Sequence, residues 1–143
     1  MKLLVNIDVP DLEAGERFYC AAFQLAPARR FGADGVELLG ADCAIYLLAK
    51  AAGTAPSATG GERSYARHWT PIHLDIVVDD LEAAVERSLH AGAIPEQPIR
   101  TASWGRIAVM ADPFGHGYCL IEFSAAGYDA IASATDSPDA AGA

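Results

Sequence analysis

The feature that most constrains this chain is an internal repeat of a whole supersecondary unit. Residues 5–14, VNIDVPDLEA, are matched by residues 74–83, LDIVVDDLEA. Each copy has alternating apolar residues, then an acidic corner, then an amphipathic helical pattern. Each is followed by short strand-like segments that end in an apolar strand, at 44–49 and at 118–123. The repeat predicts two similar modules whose residues can be compared position by position.

Length and composition predict one folded domain. The chain has 143 residues, of which 52% are hydrophobic and 20% charged. This favours a globule with a real core over a disordered chain. Because the chain has no long apolar run and no secretory signal at its start, we expect no membrane span and a cytoplasmic location. The three cysteines, Cys20, Cys43 and Cys119, are too few and too scattered for a disulfide scaffold.

The charge balance argues against nucleic acid as a partner. The formal net charge is −9, and the chain has only two lysines, Lys2 and Lys50. Phosphate binding requires clustered basic residues, which this sequence lacks. The acidity has two readings that the sequence leaves open: solubility, or attraction of a cationic ligand.

The first module, residues 1–50, has the pattern of one helix and four strands. In the first strand Asn6 and Asp8 share a polar side, whereas Val5, Ile7 and Val9 share an apolar one. The elements that the pattern predicts are a strand at 2–9, a helix from Asp11-Leu12 that Pro27 stops, and strands at 29–31, 36–39 and 43–49.

The second module, residues 69–124, repeats that order after a linker of small and polar residues at 51–68. Beyond it, residues 125–143 are predicted to be a flexible tail with one helical turn near 128–131. The elements predicted in the second module are a strand at 72–78, a helix from Asp79-Asp80 to Gly92, a Pro-interrupted edge strand at 94–99, and strands at 105–111 and 118–123.

These elements predict an α+β fold of two tandem βαβββ modules that form a curved mixed sheet around a central cleft, within one domain over 1–124. The apolar sides of the opening strands suit contact with the helices. The polar sides carry Asn6 and Asp8 in one module and His73 and Asp75 in the other. We therefore expect these four residues near a wet cleft.

The duplicated strand-helix start, together with Trp104-Gly105-Arg106 and the stretch from Asp112-Pro113-Phe114-Gly115-His116 to Phe123, resembles the glyoxalase / bleomycin-resistance / extradiol-dioxygenase superfamily, also called vicinal oxygen chelate proteins. The resemblance covers about residues 2–123. Metal-dependent members place His, Gln or Glu ligands on the first and last strand of each module. Their metal chelates adjacent oxygens of a substrate and stabilises an enolate or activates oxygen.

Carried over to this chain, the resemblance implies an incomplete metal site. The four ligand positions fall at Leu4 (or Val5, if the register slips by one), Tyr46, His73 and Cys119. Of these residues only His73 matches the family's ligands, and a His-Cys pair falls short of the three protein ligands that catalytic zinc usually has. We expect no metal and no other cofactor, with a divalent metal as the remaining alternative.

Six residues are candidates for the ligand-binding cleft: Asn6, Tyr46, Trp69, His73, Trp104 and Cys119. The two tryptophans offer flat apolar faces for stacking, although packing at a dimer contact explains them equally well. The sequence identifies no catalytic residue. The candidates for proton transfer or for holding a cation are His73, Asp75 and Asp8, and the two aspartates could instead pair with Arg100 or Arg106.

The resemblance implies two main functions. The first is a metal-independent small-molecule-binding protein of the bleomycin-resistance type, a homodimer that holds a planar, often cationic ligand. The alternative is a metal-dependent lyase, isomerase or dioxygenase of the glyoxalase class, and a small metal-free enzyme is a third possibility. The sequence leaves open whether modules pair within one chain or between two chains.

Overall fold

The computed structural model describes residues 1–68 and 70–133 and contains the predicted order of elements twice. The elements of the first module are β1 (Leu4–Val9), α1 (Leu12–Phe23), β2 (Ala26–Arg30), β3 (Gly35–Leu39) and β4 (Ala44–Ala49). Those of the second are β5 (Leu74–Val77), α2 (Leu81–Ala91), β6 (Ile94–Pro95), β7 (Arg100–Ala102), β8 (Gly105–Ala111) and β9 (Gly117–Phe123). A 3₁₀ turn at Gly127–Ala130 follows, which confirms the predicted helical turn; residues 134–143 of the predicted tail lie outside the described part.

Each module has one mixed sheet and one helix, so the predicted α+β tandem fold is confirmed. The first sheet has the order β1-β4-β3-β2, and the second has the order β5-β9-β8-β6, with β7 also paired to β8. In both sheets the opening strand runs parallel to the last strand of its module, and the remaining pairs are antiparallel. Within the described residues β1 and β5 are edge strands, each bonded to a sheet neighbour on one side only.

The two helices begin in the same way. Asp11 and Asp80 are extended cap residues, and each accepts a 2.9 Å hydrogen bond from a backbone N–H three residues later, that of Ala14 or Ala83. The first backbone N–H groups of a helix have no acceptor within the helix, and this bond satisfies one of them, as the sequence predicted. At its other end α2 stops at Gly92, whose φ of 107° is readily available only to glycine.

Several strand boundaries differ from the prediction by one to three residues, and two further differences concern the elements themselves. Pro27 does not stop α1, because the helix ends at Phe23 and Pro27 already lies in β2. The single edge strand predicted at 94–99 is two short strands on the same side of β8, β6 and β7. Proline has no N–H to donate to a ladder, and Pro98 lies in the gap between the two strands.

The two modules pack against each other through their helices and share one hydrophobic core. Phe18 of α1 lies at the centre, with its ring 6.4 Å from those of both Phe114 and Tyr118 in the second module. The buried Tyr19 hydroxyl donates a 2.6 Å hydrogen bond to Asp112, 93 residues away. The helix-facing sides of the sheets are thus buried together, and the opposite sides, here called the outer faces, remain available.

Residues 51–68 contain no helix or strand, but side chains tie this linker to both modules. Arg63 forms a 2.7 Å ion pair with Asp8, and the Tyr65 hydroxyl donates to the Lys50 carbonyl at 2.6 Å. Further along, Arg67 binds Glu96 of the second module through two nitrogens. Over the described part of the chain, no helix combines the length and the apolar character needed to cross a bilayer.

Candidate functional site

A cavity of about 430 Å³ lies between the edges of β1 and β5, and we call it the inter-module cavity. Because the two edges are not joined by a ladder, side chains of both modules reach this space. The residues that line it are Val5, Asn6, Ile7, Asp8, Tyr19, Phe23, Thr70, Ile72, His73, Leu74, His116, Gly117 and Tyr118. The set is mostly apolar and aromatic with a few polar groups, the usual composition of a small-molecule site.

Three of the predicted site residues, Asn6, Asp8 and His73, are brought together at this cavity. Asp8 is fixed from both sides: its carboxylate pairs with Arg63, and its backbone carbonyl is 2.8 Å from Nε2 of His116. The expected alternative pairing of Asp8 with Arg100 or Arg106 is wrong. The reason is that the linker folds back over the end of β1 and brings Arg63 to Asp8.

Arg106 is instead held within the second module. It bonds both oxygens of Glu82 and both oxygens of Glu122, at distances between 2.5 and 3.1 Å. Its register partner across the β8–β9 ladder is Glu122, and Glu82 lies in the first turn of α2. These two partners leave Arg106 occupied on the side of α2, so neither candidate aspartate has it as a partner.

The second candidate carboxylate, Asp75, belongs to a cluster on the outer face of the second module. His73 Nε2 lies 3.2 Å from Asp75 Oδ1. One donor atom from each of His73, Asp75 and Cys119 lies within 4.8 Å of the other two. His73 and Asp75 are exposed, whereas Cys119 is buried beneath them with 8% of its surface exposed.

The Cys119 thiol is not activated by this setting. Burial, and then the neighbouring negative charge of Asp75, raise the pKa of Cys119 from 9.0 to about 11. A thiol with a raised pKa is a poor nucleophile because its thiolate is scarce at neutral pH. Cys119 is therefore unsuited to nucleophilic catalysis in this form of the protein.

Tyr46 occupies the corresponding outer face of the first module, next to its register partner Asn6. Its hydroxyl donates to Glu37 at 2.7 Å and accepts from Arg29 at 3.1 Å, and Arg29 also binds both oxygens of Glu37. The hydrogen bonds from Arg29 and Tyr46 lower the pKa of Glu37 from 4.5 to about 2. The hydrogen bond to ionised Glu37 raises the pKa of Tyr46, so Tyr46 is a neutral group already in use.

The metal arrangement of the resembled family does not fit these residues. Leu4 has no donor atom, and it lies on the outer face with 45% of its surface exposed. Tyr46 would have to give up its bond to Glu37 and lose a proton to bind a metal. Only His73 and Cys119 of the four family positions carry available donors.

Trp104 does not line the inter-module cavity. Trp104 packs with Phe123 and Tyr128, at ring distances of 6.4 and 5.5 Å, at the end of β9 opposite to Gly117. Trp69 lies outside the described residues. The proposed stacking role of both tryptophans stays a prediction.

Sequence reasoning missed several residues that line the inter-module cavity. Tyr19 and Phe23 lie on α1, and His116 lies just before β9, where its backbone N–H donates to Asp112. The same residues also border the cavity, together with Thr70. A usable signal existed for His116, because it precedes β9, the strand that pairs with β5 and its cleft candidates.

A profile of the Glyoxalase-like domain family matches residues 4–121 of the chain. Proteins called uncharacterized protein Mb0911c of Mycobacterium bovis and MT0910 of Mycobacterium tuberculosis are each 40% identical over 52 residues. That stretch is 36% of this chain and 34% and 31% of those two relatives, so the match spans about a third of their length.

Solved structures share the fold at low sequence identity. A genomically encoded fosfomycin resistance protein, FosX of Listeria monocytogenes, has a TM-score of 0.67 at 16% identity, covering 87% of this chain and 94% of its own. TioX of Micromonospora sp. ML1 has a TM-score of 0.66 at 18% identity, with 87% and 99% covered. A glyoxalase/bleomycin resistance protein/dioxygenase family enzyme of Burkholderia phytofirmans has 0.67 at 18% identity, with 85% and 97% covered.

Proposed function

The chain belongs to the glyoxalase-like family of the vicinal oxygen chelate superfamily, and from this premise we propose that it is a small-molecule-binding protein whose ligand occupies the inter-module cavity. The observation that carries the proposal is the cavity itself. Its volume of about 430 Å³ suits a ligand of drug-like size, and both modules contribute to its lining.

The lining favours a ligand with an aromatic or otherwise flat apolar body. Tyr19, Phe23 and Tyr118 provide aromatic surface at the cavity, and the polar groups are few. A small number of hydrogen-bonding groups in an apolar site fixes the orientation of a ligand, while the apolar surface provides most of the affinity. Asn6 and His73, on opposite sides of the gap, are the residues we assign to that orienting role.

The surrounding charge favours a cationic ligand. A groove of about 610 Å³ adjoins the cavity, with which it shares Val5, Phe23 and Leu74. Its lining includes Asp42, Asp75, Asp79, Asp80 and Arg87. The formal net charge of the chain is −9. A field of this sign raises the local concentration of cations and speeds their association.

A thermal-shift series tests the proposal with three matched sets of aromatic compounds that are cationic, neutral or anionic. We expect the cationic set to raise the melting temperature in a concentration-dependent way, because a ligand that binds only the folded state stabilises it. A series in which no cationic aromatic compound changes the melting temperature, while diketones or thiol adducts do, would contradict the proposal.

Variants locate the binding. Asn6→Ala should weaken binding of the best compound by about fivefold, since one good hydrogen bond contributes roughly 1 kcal/mol. His90→Gln is the matched control, because His90 is exposed in the last turn of α2 and does not line the inter-module cavity. Equal affinity in the wild type and in Asn6→Ala would place the ligand elsewhere.

A homodimer forms part of the same proposal. Large apolar side chains remain exposed on or beside the outer faces, with Leu4 at 45%, Phe31 at 46%, Val77 at 60% and Ile72 at 80% exposure. Apolar groups concentrated on one surface are characteristic of interaction sites. We propose that a second copy of the chain covers these faces.

A metal-dependent lyase, isomerase or dioxygenase is the second candidate function. The observation that favours it is the donor cluster of His73, Asp75 and Cys119. Turnover of diketones or thiol adducts that requires added divalent metal, and that His73→Ala abolishes, would replace the binding function with this one.

We place the protein in the cytoplasm as part of the proposal, since its three cysteines are free thiols, which suits a reducing compartment.

A further inference from the structure

We propose that the groove of about 610 Å³ beside the inter-module cavity binds a short extended peptide, whose C-terminal carboxylate contacts Arg87. The lining of this groove comes from the end of α1, the turn before β4, the whole of β5 and Arg87 of α2. The peptide site is separate from the inter-module cavity and does not depend on the ligand proposed there.

Arg87 carries a buried donor without an acceptor. Its Nε atom is buried and has no hydrogen-bond partner among the described residues. In that part of the chain no carboxylate lies within 4.0 Å of its guanidinium, whereas six other arginines have such a partner. A carboxylate can bind the Nε edge of a guanidinium through two parallel hydrogen bonds. A ligand with this group would therefore satisfy the buried atom.

Strand β5 offers a free backbone edge to the same groove. Residues 74–78 all line the groove, and Val78 donates a 2.8 Å hydrogen bond to the Ile121 carbonyl of β9. Alternate residues of a parallel strand bond to the same neighbour, so the backbone N–H and C=O groups of Asp75 and Val77 point away from β9. Within the described residues no ladder joins β5 to β1 across the gap. An extended peptide can thus pair with β5 as an added strand.

The interior of the groove is apolar and comes from both modules. Val5 and Ile45 of the first module and Ile76 and Leu120 of the second line it. An added strand points alternate side chains to opposite faces, so every second side chain of the peptide would meet this surface. Burial of such side chains provides affinity without requiring a particular residue. The groove therefore favours a peptide with apolar side chains.

The remaining charges of the groove suit the other end of the peptide. Four aspartates line it, of which Asp75 pairs with His73 and Asp80 caps α2. The other two, Asp42 and Asp79, form no ion pair with a described residue, so they can accept the N-terminal ammonium group. A ligand with a carboxylate alone would be repelled by these aspartates. A peptide with two free ends matches both signs of charge.

Isothermal titration calorimetry with the tripeptide leucyl-alanyl-leucine tests the proposal on the full chain. We expect one peptide to bind per chain. Its C-terminal amide should bind about tenfold more weakly, because a hydrogen bond to a charged group is stronger than one to a neutral group. Its N-acetyl derivative should also bind more weakly, because it lacks the ammonium group. A free peptide that does not bind, or that binds no more tightly than its amide, would overturn the proposal.

N-methylation of the peptide tests the pairing with β5. The tripeptide has two peptide N–H groups, and in a strand neighbouring N–H groups point to opposite sides. Methylation of the one that faces β5 should weaken binding about tenfold, because it removes a donor and adds bulk at the ladder. Methylation of the other should have a smaller effect. Unchanged affinity of both methylated peptides would contradict the added strand and overturn the proposal.

Variants of the protein assign the carboxylate contact. Arg87→Gln should bind the free peptide and its amide equally, whereas the matched control Arg100→Gln should keep the difference, because Arg100 is exposed and lies outside the groove. Asn6→Ala should leave peptide affinity unchanged, since Asn6 lines only the inter-module cavity. A preference for the free peptide that survives in Arg87→Gln would overturn the proposal. If Arg87→Gln does not fold, the comparison of free peptide and amide in the wild type still decides whether the carboxylate is recognised.

Discussion

The outer faces of the two modules carry different chemistry at equivalent positions. In the first module the ladder aligns Asn6 with Tyr46 and Tyr46 with Glu37. In the second module the same three positions are Asp75, Cys119 and Val109. The first face contains Glu37, which Arg29 and Tyr46 both bind, and the second contains Asp75, which pairs with His73 at 3.2 Å.

One cause of the difference is the partner that an arginine of each module binds. In the first module Arg29 lies on the same face as Glu37 and binds both of its oxygens, so the charge is neutralised locally. In the second module Arg106 is turned toward α2 and binds Glu82 and Glu122 instead. The repeated backbone thus carries a neutralised ion pair in the first module and a cluster of histidine, aspartate and cysteine in the second.

The largest expected effect concerns the contact that joins the two halves. Asp112→Ala should lower the free energy of unfolding by about 3 kcal/mol, because the buried Tyr19 hydroxyl and the backbone N–H groups of Phe114 and His116 all lose their acceptor. Urea denaturation measures the change. Tyr19→Phe removes one of the three bonds and should cost about 1 kcal/mol. Equal losses in the two variants would show that Asp112 acts only through Tyr19.

The second prediction tests the exposed outer faces. The double variant Leu4→Asp with Val77→Asp should weaken self-association at least a hundredfold, or about 2.7 kcal/mol, because it places a charge at each exposed apolar position. Analytical ultracentrifugation over a concentration series measures the change. Leu89→Asp is the control, since Leu89 is similarly exposed but lies on α2. A wild-type chain that stays monomeric at all concentrations would contradict the proposed dimer.

The third prediction uses the pH dependence of stability to test the ion pair on the outer face of the first module. Glu37 has a pKa of about 2 in the folded chain and 4.5 ordinarily, so its contribution to stability is present above pH 4.5 and is lost as the pH falls toward 2. Glu37→Gln should therefore lower the melting temperature at pH 7 and match the wild type near pH 2.

The exposed Glu86 on α2 gives the control for that measurement, and Glu86→Gln should follow the wild type at every pH. A constant difference between Glu37→Gln and the wild type from pH 7 to pH 2 would mean that the Arg29–Glu37 pair does not stabilise the fold.

The smallest expected effect comes from a difference between the helices. Gly15 of α1 is matched in the repeat by Ala84 of α2, and a β-carbon at Gly15 would lie 3.1 Å from Val9 and 3.3 Å from Leu47. Gly15→Ala should destabilise by up to about 1 kcal/mol, since crowding against β1 exceeds the gain in helix propensity. Ala84→Gly should cost about 1 kcal/mol from lost propensity alone. A clear stabilisation in Gly15→Ala by urea denaturation would show that β1 can move away.

Much of the fold was predictable because its signals are local. The two aspartate caps, the end of α2 at Gly92 and the strand at Gly105–Ala111 each depend on a few neighbouring residues. The sequence also indicated that Asn6 and His73 lie near a common space. The interpretation of Asp8 as a partner of Arg100 or Arg106 failed, because its actual partner, Arg63, comes from a linker without periodicity.

The candidate metal ligands show the same limit. Sequence comparison with the family identified His73 and Cys119 but counted too few ligands, so we predicted no metal. The third donor, Asp75, was visible only as a cleft carboxylate, because its proximity to Cys119 depends on the register of a parallel pair 44 residues apart. That prediction stays untested.

By itself, the sequence determined the repeat, the α+β class, the starts of both helices and the end of α2, because periodicity and capping act within one turn or one strand. Only the tertiary structure decided which charges meet. The Tyr19–Asp112 bond, the Arg63–Asp8 pair and the cluster of His73, Asp75 and Cys119 join residues that are distant in the chain. Such contacts depend on strand register and on how two modules pack, which no local pattern encodes.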